Sequence, residues 1–301
     1  MKDCLTQRVI GILVYYARAL DNVLLVAIGS LSSAQSAPTE ATLEAITHLL
    51  NYCATHPDAV IRYTASAMAL HVHSDASYLS VTNARSRIGG YFCLTNCLSD
   101  PIRAPSPDSP PLALNGPIHV NSTILKMVVA SAAEAELGAL FYNAKDAAML
   151  HTTLDEMGHP QVATPIQTDN ACAAGIANAT VKQRWSKAID MRFYWVRDRV
   201  KQGDFLVYWR QGCDNDADYF TKHHPPSHHR AMRSRYLHEP SANWRLQRGC
   251  VDLGSGPNAC APACLPKSPL LQSPVGPLRP SVRGMTVSIV SPSHPNNITH
   301  N

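Results

Sequence analysis

The hydrophobic period changes at Ala69, and this change most narrows what the chain can fold into. Before it, Val9, Ile12, Leu13 and Tyr16 recur at helical spacing. After Pro38 and Thr39, Leu43, Ile46, Leu50 and Cys53 do the same. Beyond it, Leu70, Val72 and Ser74 alternate with His71, His73 and Asp75, the period of a strand with two unlike faces. Residues 87–95 and 118–128 alternate as well, and Gly89-Gly90 within the first of these runs marks a bulge or a close backbone approach.

The period then lengthens again. Ser131, with Glu134 as its capping-box partner, opens a long helix over residues 132–157. A short strand over 164–168 ends at Asp169, and a short helix over 170–179 follows. A helix over 185–200, a strand over 205–209, a helical turn over 214–222 and a helix over 228–237 complete the ordered pattern. Three consecutive strands followed by alternation predict an α/β fold. The sheet has five strands and is mixed, an antiparallel meander with parallel additions, and helices lie on both faces. The expected division is a helical segment over 1–66, the sheet domain over 67–238 and a disordered tail rich in Pro and Ser over 239–301.

Composition adds few constraints. Hydrophobic residues make up 45% of the chain and charged residues 16%, enough to build a core. A net charge of +4 is too small by itself to argue for a nucleic-acid partner. Nine cysteines without a secretory signal point to free thiols in a reducing, intracellular compartment. Residues 9–31 are apolar, but Arg18 and Asp21 argue against a membrane span and for a buried helical hairpin.

The chemistry-bearing pattern is acidic. Asp75 stands at the end of the first strand and Asp169 at the end of the fourth. If these strands are parallel neighbours, the two carboxylates meet where ligands bind in open α/β sheets. Glu136 lies on the first turns of the long helix, and Asp218 opens the last helical turn. Four acids in one place need cations. Hard oxygen ligands suit Mg²⁺ or Mn²⁺, and two such ions ~4 Å apart support phosphodiester hydrolysis. The same residues also admit a plainer reading, as turn residues, a solvated helix acid and a helix-terminal charge.

Five segments carry a resemblance. HSDASY, SAAEAELGAL, QTDNACA, SKAIDMRFYWVRDRV and DNDADYFTKHH, in this order, resemble the RNase H domain of copia-type retrotransposon Pol polyproteins. The resemblance covers about residues 70–237. The segments QRVIGILVYYARAL and LLNYCATHP are similar to the reverse transcriptase connection that precedes that domain. The resemblance implies an RNase H-like fold and a magnesium- or manganese-dependent endonuclease, using two ions, that hydrolyses the RNA strand of RNA–DNA hybrids. Its catalytic and metal-binding residues are then Asp75, Glu136, Asp169 and Asp218, and its partners are the hybrid and the rest of the polyprotein. No membrane and no small-molecule cofactor are implied.

Glu134 neighbours Glu136, but only one of the two can face the sheet, and Leu137 and Leu140 favour Glu136. Ala188 stands where many such sequences carry histidine, and Gln211 where proline is frequent. No Asp-Asp pair occurs, so no polymerase activity is expected of this fragment. Arg87, Lys126, Lys182, Arg184, Lys187 and Arg192 are candidate contacts to a nucleic-acid backbone. His223, His224, His228 and His229 read as loop histidines rather than a zinc site. The alternative function is a catalytically silent retroelement remnant that binds nucleic acid or serves as a structural subunit.

Overall fold

The structure, a computed structural model, describes residues 2–96, 104–106, 109–111, 115–181 and 191–238, with side chains undescribed for residues 2–4 and 191. The expected tail over 239–301, the start of the helix over 185–190, and Lys182, Arg184 and Lys187 lie outside the described residues.

The period-3.6 segments form α1 (Lys2–Ala19), α2 (Leu25–Ser33) and α3 (Glu40–Thr55). α3 starts at Thr39, whose hydroxyl accepts from the Thr42 N–H while Thr42 Oγ1 accepts from the Thr39 N–H. A 3₁₀ turn, Asn22–Leu24, joins α1 to α2, so the apolar stretch folds back on itself as expected. No helix among the described residues is long and apolar enough to cross a membrane.

The alternating segments form one five-stranded sheet in the order β3-β2-β1-β4-β5. Its strands are β1 (Ala69–Val81), β2 (Arg85–Thr95), β3 (Pro117–Ile124), β4 (Thr164–Thr168) and β5 (Phe205–Trp209). β1–β2 and β2–β3 are antiparallel, and β1–β4 and β4–β5 are parallel. This is the mixed α/β sheet that the pattern predicts.

Two strand boundaries differ from expectation. β1 does not stop at Asp75 but runs on to Val81, because β2 keeps pairing with it through Asp75↔Gly89, Ala76↔Ile88 and Ser77↔Arg87. β4 pairs only with Val72 and His73, so Asp75 stands where the parallel partner ends, in mid-strand. β3 ends at Ile124 rather than near 128, after which Leu125 is fully buried and its N–H bonds the Ser86 carbonyl.

The two sheet faces carry separate cores. On one, Leu70, Val72, Phe92, Ile166 and Val207 pack against α4 (Ala132–Glu156), α5 (Ala171–Ala177) and α6 (Met191–Gln202). On the other, Tyr91, Cys93 and Val120 pack with Leu24, Ile28 and Ile46 of the helical segment. Phe220 and Tyr236 join this second core, the latter from α7 (Pro226–Tyr236).

Gly89 and Gly90 are needed for close approach on opposite faces. A Cβ on Gly89 would lie 2.3 Å from the Ala217 carbonyl oxygen, and one on Gly90 would lie 2.3 Å from Asn143 Oδ1. Asn143, on α4, is fully buried. Its Nδ2 donates to Ser74 Oγ (2.9 Å) and to the Gly89 carbonyl (2.8 Å), and its Oδ1 accepts from Asn121 Nδ2 (2.9 Å). One polar side chain thus ties α4 to β1, β2 and β3.

Candidate active site

Three carboxylates from three elements meet at the edge of the β1–β4 pair. Asp75, Glu136 and Asp169 each offer an oxygen, and these oxygens lie within 4.8 Å of one another. Asp75 points from β1 and is 4% exposed. Past His73 no residue of β4 pairs with β1, and the Ala76 N–H donates instead to Glu136 Oε1 at 3.3 Å. Glu136 is 7% exposed, and its Oε2 is buried with no hydrogen-bond partner. Asp169 follows β4 directly, and its carbonyl accepts from Trp209 Nε1 at 2.8 Å. Gly212 makes room for it, since a Cβ there would lie 3.0 Å from Asp169 Oδ2.

Of the two helix acids, Glu136 enters the cluster and Glu134 serves the helix end. Ser131 Oγ accepts from the Glu134 N–H, while Glu134 Oε2 accepts from the Ala130 N–H at 2.7 Å, one residue earlier than a reciprocal capping box would have it. Asp218 opens a 3₁₀ turn, Asp218–Phe220, beside the cluster but outside it. Its Oδ1 accepts from Lys222 Nζ at 2.6 Å.

The arrangement is electrostatically costly. Burial raises the Asp75 carboxyl to about 7, helped by the charges of Asp169 and Asp218. Burial raises Glu136 further, to about 10, with Asp75 and Asp169 adding to it. Asp169 moves up for the same reasons, burial first and then Asp218. An all-oxygen donor set, an unsatisfied buried acceptor and three acids that ionise poorly together fit a hard divalent cation such as Mg²⁺ or Mn²⁺.

The basic candidates separate. Arg87 is not a surface residue: it is 2% exposed, and its guanidinium reaches Ser30 Oγ (3.2 Å) and crowds Gly29 of α2. The helical segment that covers this face, far away in sequence, puts it there. Lys126 is exposed, and its carbonyl accepts from Arg85. Arg192 is half-buried on α6, within reach of Tyr142 OH at 3.4 Å.

The histidines are structural. Among the described residues only the acidic trio is grouped closely enough to hold a metal. His223 bonds Ser30 Oγ (2.8 Å), His224 the Tyr219 carbonyl (3.1 Å), and His229 the hydroxyls of Tyr219 and Tyr52, so these are not the solvated loop histidines expected, and His228 and His229 lie on α7. His71 is buried against Tyr208 OH at 2.7 Å, and buried His73 accepts from the Asp216 N–H at 3.0 Å. Two residues near the site are not singled out by the sequence reading. Asp216 is buried and bonded to Arg235, and Lys222 pairs with Asp218. The i,i+4 spacing of Asp218 and Lys222 is the signal that reveals the latter.

The fold and this acidic centre define an α/β protein with a mixed five-stranded sheet and a buried carboxylate cluster. No family model matches the chain. It is similar to copia-type Pol polyproteins of plant transposons. One is the retrovirus-related Pol polyprotein from transposon TNT 1-94 of Nicotiana tabacum, at 29% identity over 36% of this chain. Another is that from transposon RE1 of Arabidopsis thaliana, at 25% identity over 65% of this chain. The chain spans 8% and 12% of the length of these relatives. Among solved structures, LC11-RNase H1 isolated from compost aligns at 12% identity with a TM-score of 0.36, over 51% of this chain and 93% of that one. The same protein in complex with an RNA/DNA hybrid aligns with a TM-score of 0.35, over 50% and 93%. The N-terminal RNase H domain of rv2228c from Mycobacterium tuberculosis aligns at 11% identity with a TM-score of 0.35, over 51% and 91%.

Proposed function

We propose that the chain is the RNase H part of a copia-type Pol polyprotein and hydrolyses the RNA strand of RNA–DNA hybrids with divalent metal. The observation that carries this reading is the convergence of Asp75, Glu136 and Asp169 within 4.8 Å from β1, α4 and the end of β4. Asp75, Glu136 and Asp169 would hold a divalent ion, and Asp218 would contribute to a second. Such ions supply Lewis-acid stabilisation of the phosphate and lower the pKa of an attacking water.

The protein's own residues prepare the place. Gly89 lets the 217–221 turn cross the sheet beside Asp75. Ser77 Oγ donates to the Thr221 carbonyl at 2.6 Å, which holds the Asp218 turn against β1. Asn143 anchors α4 two turns beyond Glu136 and so keeps that carboxylate over the Ala76 N–H. Exposed Lys126 is suited to phosphate contact.

The test is cleavage of end-labelled RNA–DNA hybrid in Mg²⁺ or Mn²⁺, with duplex DNA and duplex RNA as controls. Asp75→Asn and Asp169→Asn are expected to lower the rate by at least about 100-fold, the scale of losing one preorganised electrostatic group. Undiminished cutting in either variant would refute the assignment. Hybrid binding without any metal-dependent cutting would favour the silent remnant.

A further inference from the structure

We propose that Lys222 is the protein's own counter-cation for the acidic centre and sets the order in which divalent ions enter it. The inference rests on the metal reading above and deepens it. Lys222 Nζ lies 2.6 Å from Asp218 Oδ1, across the 3₁₀ turn. The turn is rigid: Phe220 is fully buried, and Thr221 Oγ1 donates to the Asp218 carbonyl at 2.8 Å. The turn brings the two groups together, and both side chains are partly exposed, Lys222 at 49% and Asp218 at 37%.

The four acids are consequently not equivalent. Asp75, Glu136 and Asp169 share a seat within 4.8 Å from which Asp218 is absent. Burial is the largest single influence on Lys222 and opposes its charge, but the bond to Asp218 and the charges of Asp218, Asp75 and Asp169 together outweigh it, and Asp75 and Asp169 feel the ammonium in turn. Lys222 thus bonds Asp218 directly and acts on Asp75 and Asp169 through its charge. An ion entering the trio meets no direct competitor. An ion that needs Asp218 must first displace the lysine, whose exposed stem is free to swing into water. Lys222 thus weakens the second binding event more than the first.

Calorimetric titration of the full chain with Mn²⁺ separates the possibilities, using wild type, Lys222→Gln, Lys222→Arg and Asp75→Asn. In Lys222→Gln the second event is expected to tighten about tenfold, the effect of removing one nearby positive charge at a half-exposed site, and the first by clearly less. Lys222→Arg keeps the charge and is expected to behave as wild type. A second event that appears only in Lys222→Gln supports the inference equally. Identical isotherms for wild type and Lys222→Gln, or equal tightening in Lys222→Arg, would overturn it. In that case, loss of the first event in Asp75→Asn would still leave the metal reading standing. Wild-type protein that binds no Mn²⁺ would remove both.

Discussion

Glu136 keeps a carboxyl group where almost no water reaches it, and its second oxygen has no partner. Its pKa lies at about 10 in the folded protein against 4.5 ordinarily, and that of Asp75 at about 7 against 3.8. Between each pair of values the folded state binds more protons than the unfolded one, so stability falls as pH rises through that window. Metal-free protein is therefore expected to melt at lower temperature at about pH 8 than at about pH 5, measured by circular dichroism in EDTA. Asp21, raised to about 6 by burial despite Arg233, acts in the same direction. Mn²⁺ is expected to flatten the slope by replacing the protons. Glu136→Gln is expected to raise the metal-free melting temperature at about pH 8 and to lose most of the gain from Mn²⁺. A metal-free melting temperature that climbs from acid to neutral pH would contradict the picture of mutually repelling acids.

The helix that carries Glu136 is tied to the sheet by one polar contact set in addition to its apolar face. Asn143 satisfies Ser74, the Gly89 carbonyl and Asn121 at once, with no access to water. Asn143→Ala removes the side-chain partner of Ser74 Oγ and a donor to the Gly89 carbonyl, while Asn121 keeps Asp146, at a cost of about 1–3 kcal/mol in urea unfolding. Because α4 then loses its register over the sheet, Mn²⁺ affinity is expected to fall as well, although residue 143 touches no carboxylate of the cluster. Gly89→Ala strikes the other face. Its methyl group would meet the Ala217 carbonyl oxygen, which is backbone and cannot rotate away. The expected cost is about 1–3 kcal/mol, with displacement of the Asp218 turn seen as a weaker second Mn²⁺ event. Unchanged stability in both variants would mean that neither face needs the close approach described here.

The helical segment and the sheet share a core. Leu24, Ile28 and Ile46 pack in the same cluster as Tyr91, Phe220 and Tyr236, and Arg233 of α7 reaches Tyr52 OH of α3 at 2.9 Å. Leu24→Ala, remote from the acids in sequence, is expected to cost about 2–5 kcal/mol and to do so within a single unfolding transition. A separate early transition in urea, followed by fluorescence and circular dichroism together, would show instead that the helices melt independently. Removing residues 1–66 uncovers the Tyr91 face, and size-exclusion chromatography is expected to show self-association of the remainder.

Much of this molecule was legible in neighbouring residues. The strands at 164–168 and 205–209, the cap at Ser131, the order of elements and the mixed sheet follow from hydrophobic period and short-range hydrogen bonds, which act over a few positions. The choice of Glu136 over Glu134 was legible too, from the helical angle between them. The extension of β1 past Asp75 was not, because it depends on which strand keeps pairing after another stops. Nor was the burial of Arg87 beneath α2, or the position of Asp218 outside the trio and paired with Lys222. Register and packing decide these, and they join groups that local patterning leaves independent, so the chemistry of the acidic centre emerges only when the chain has closed on itself.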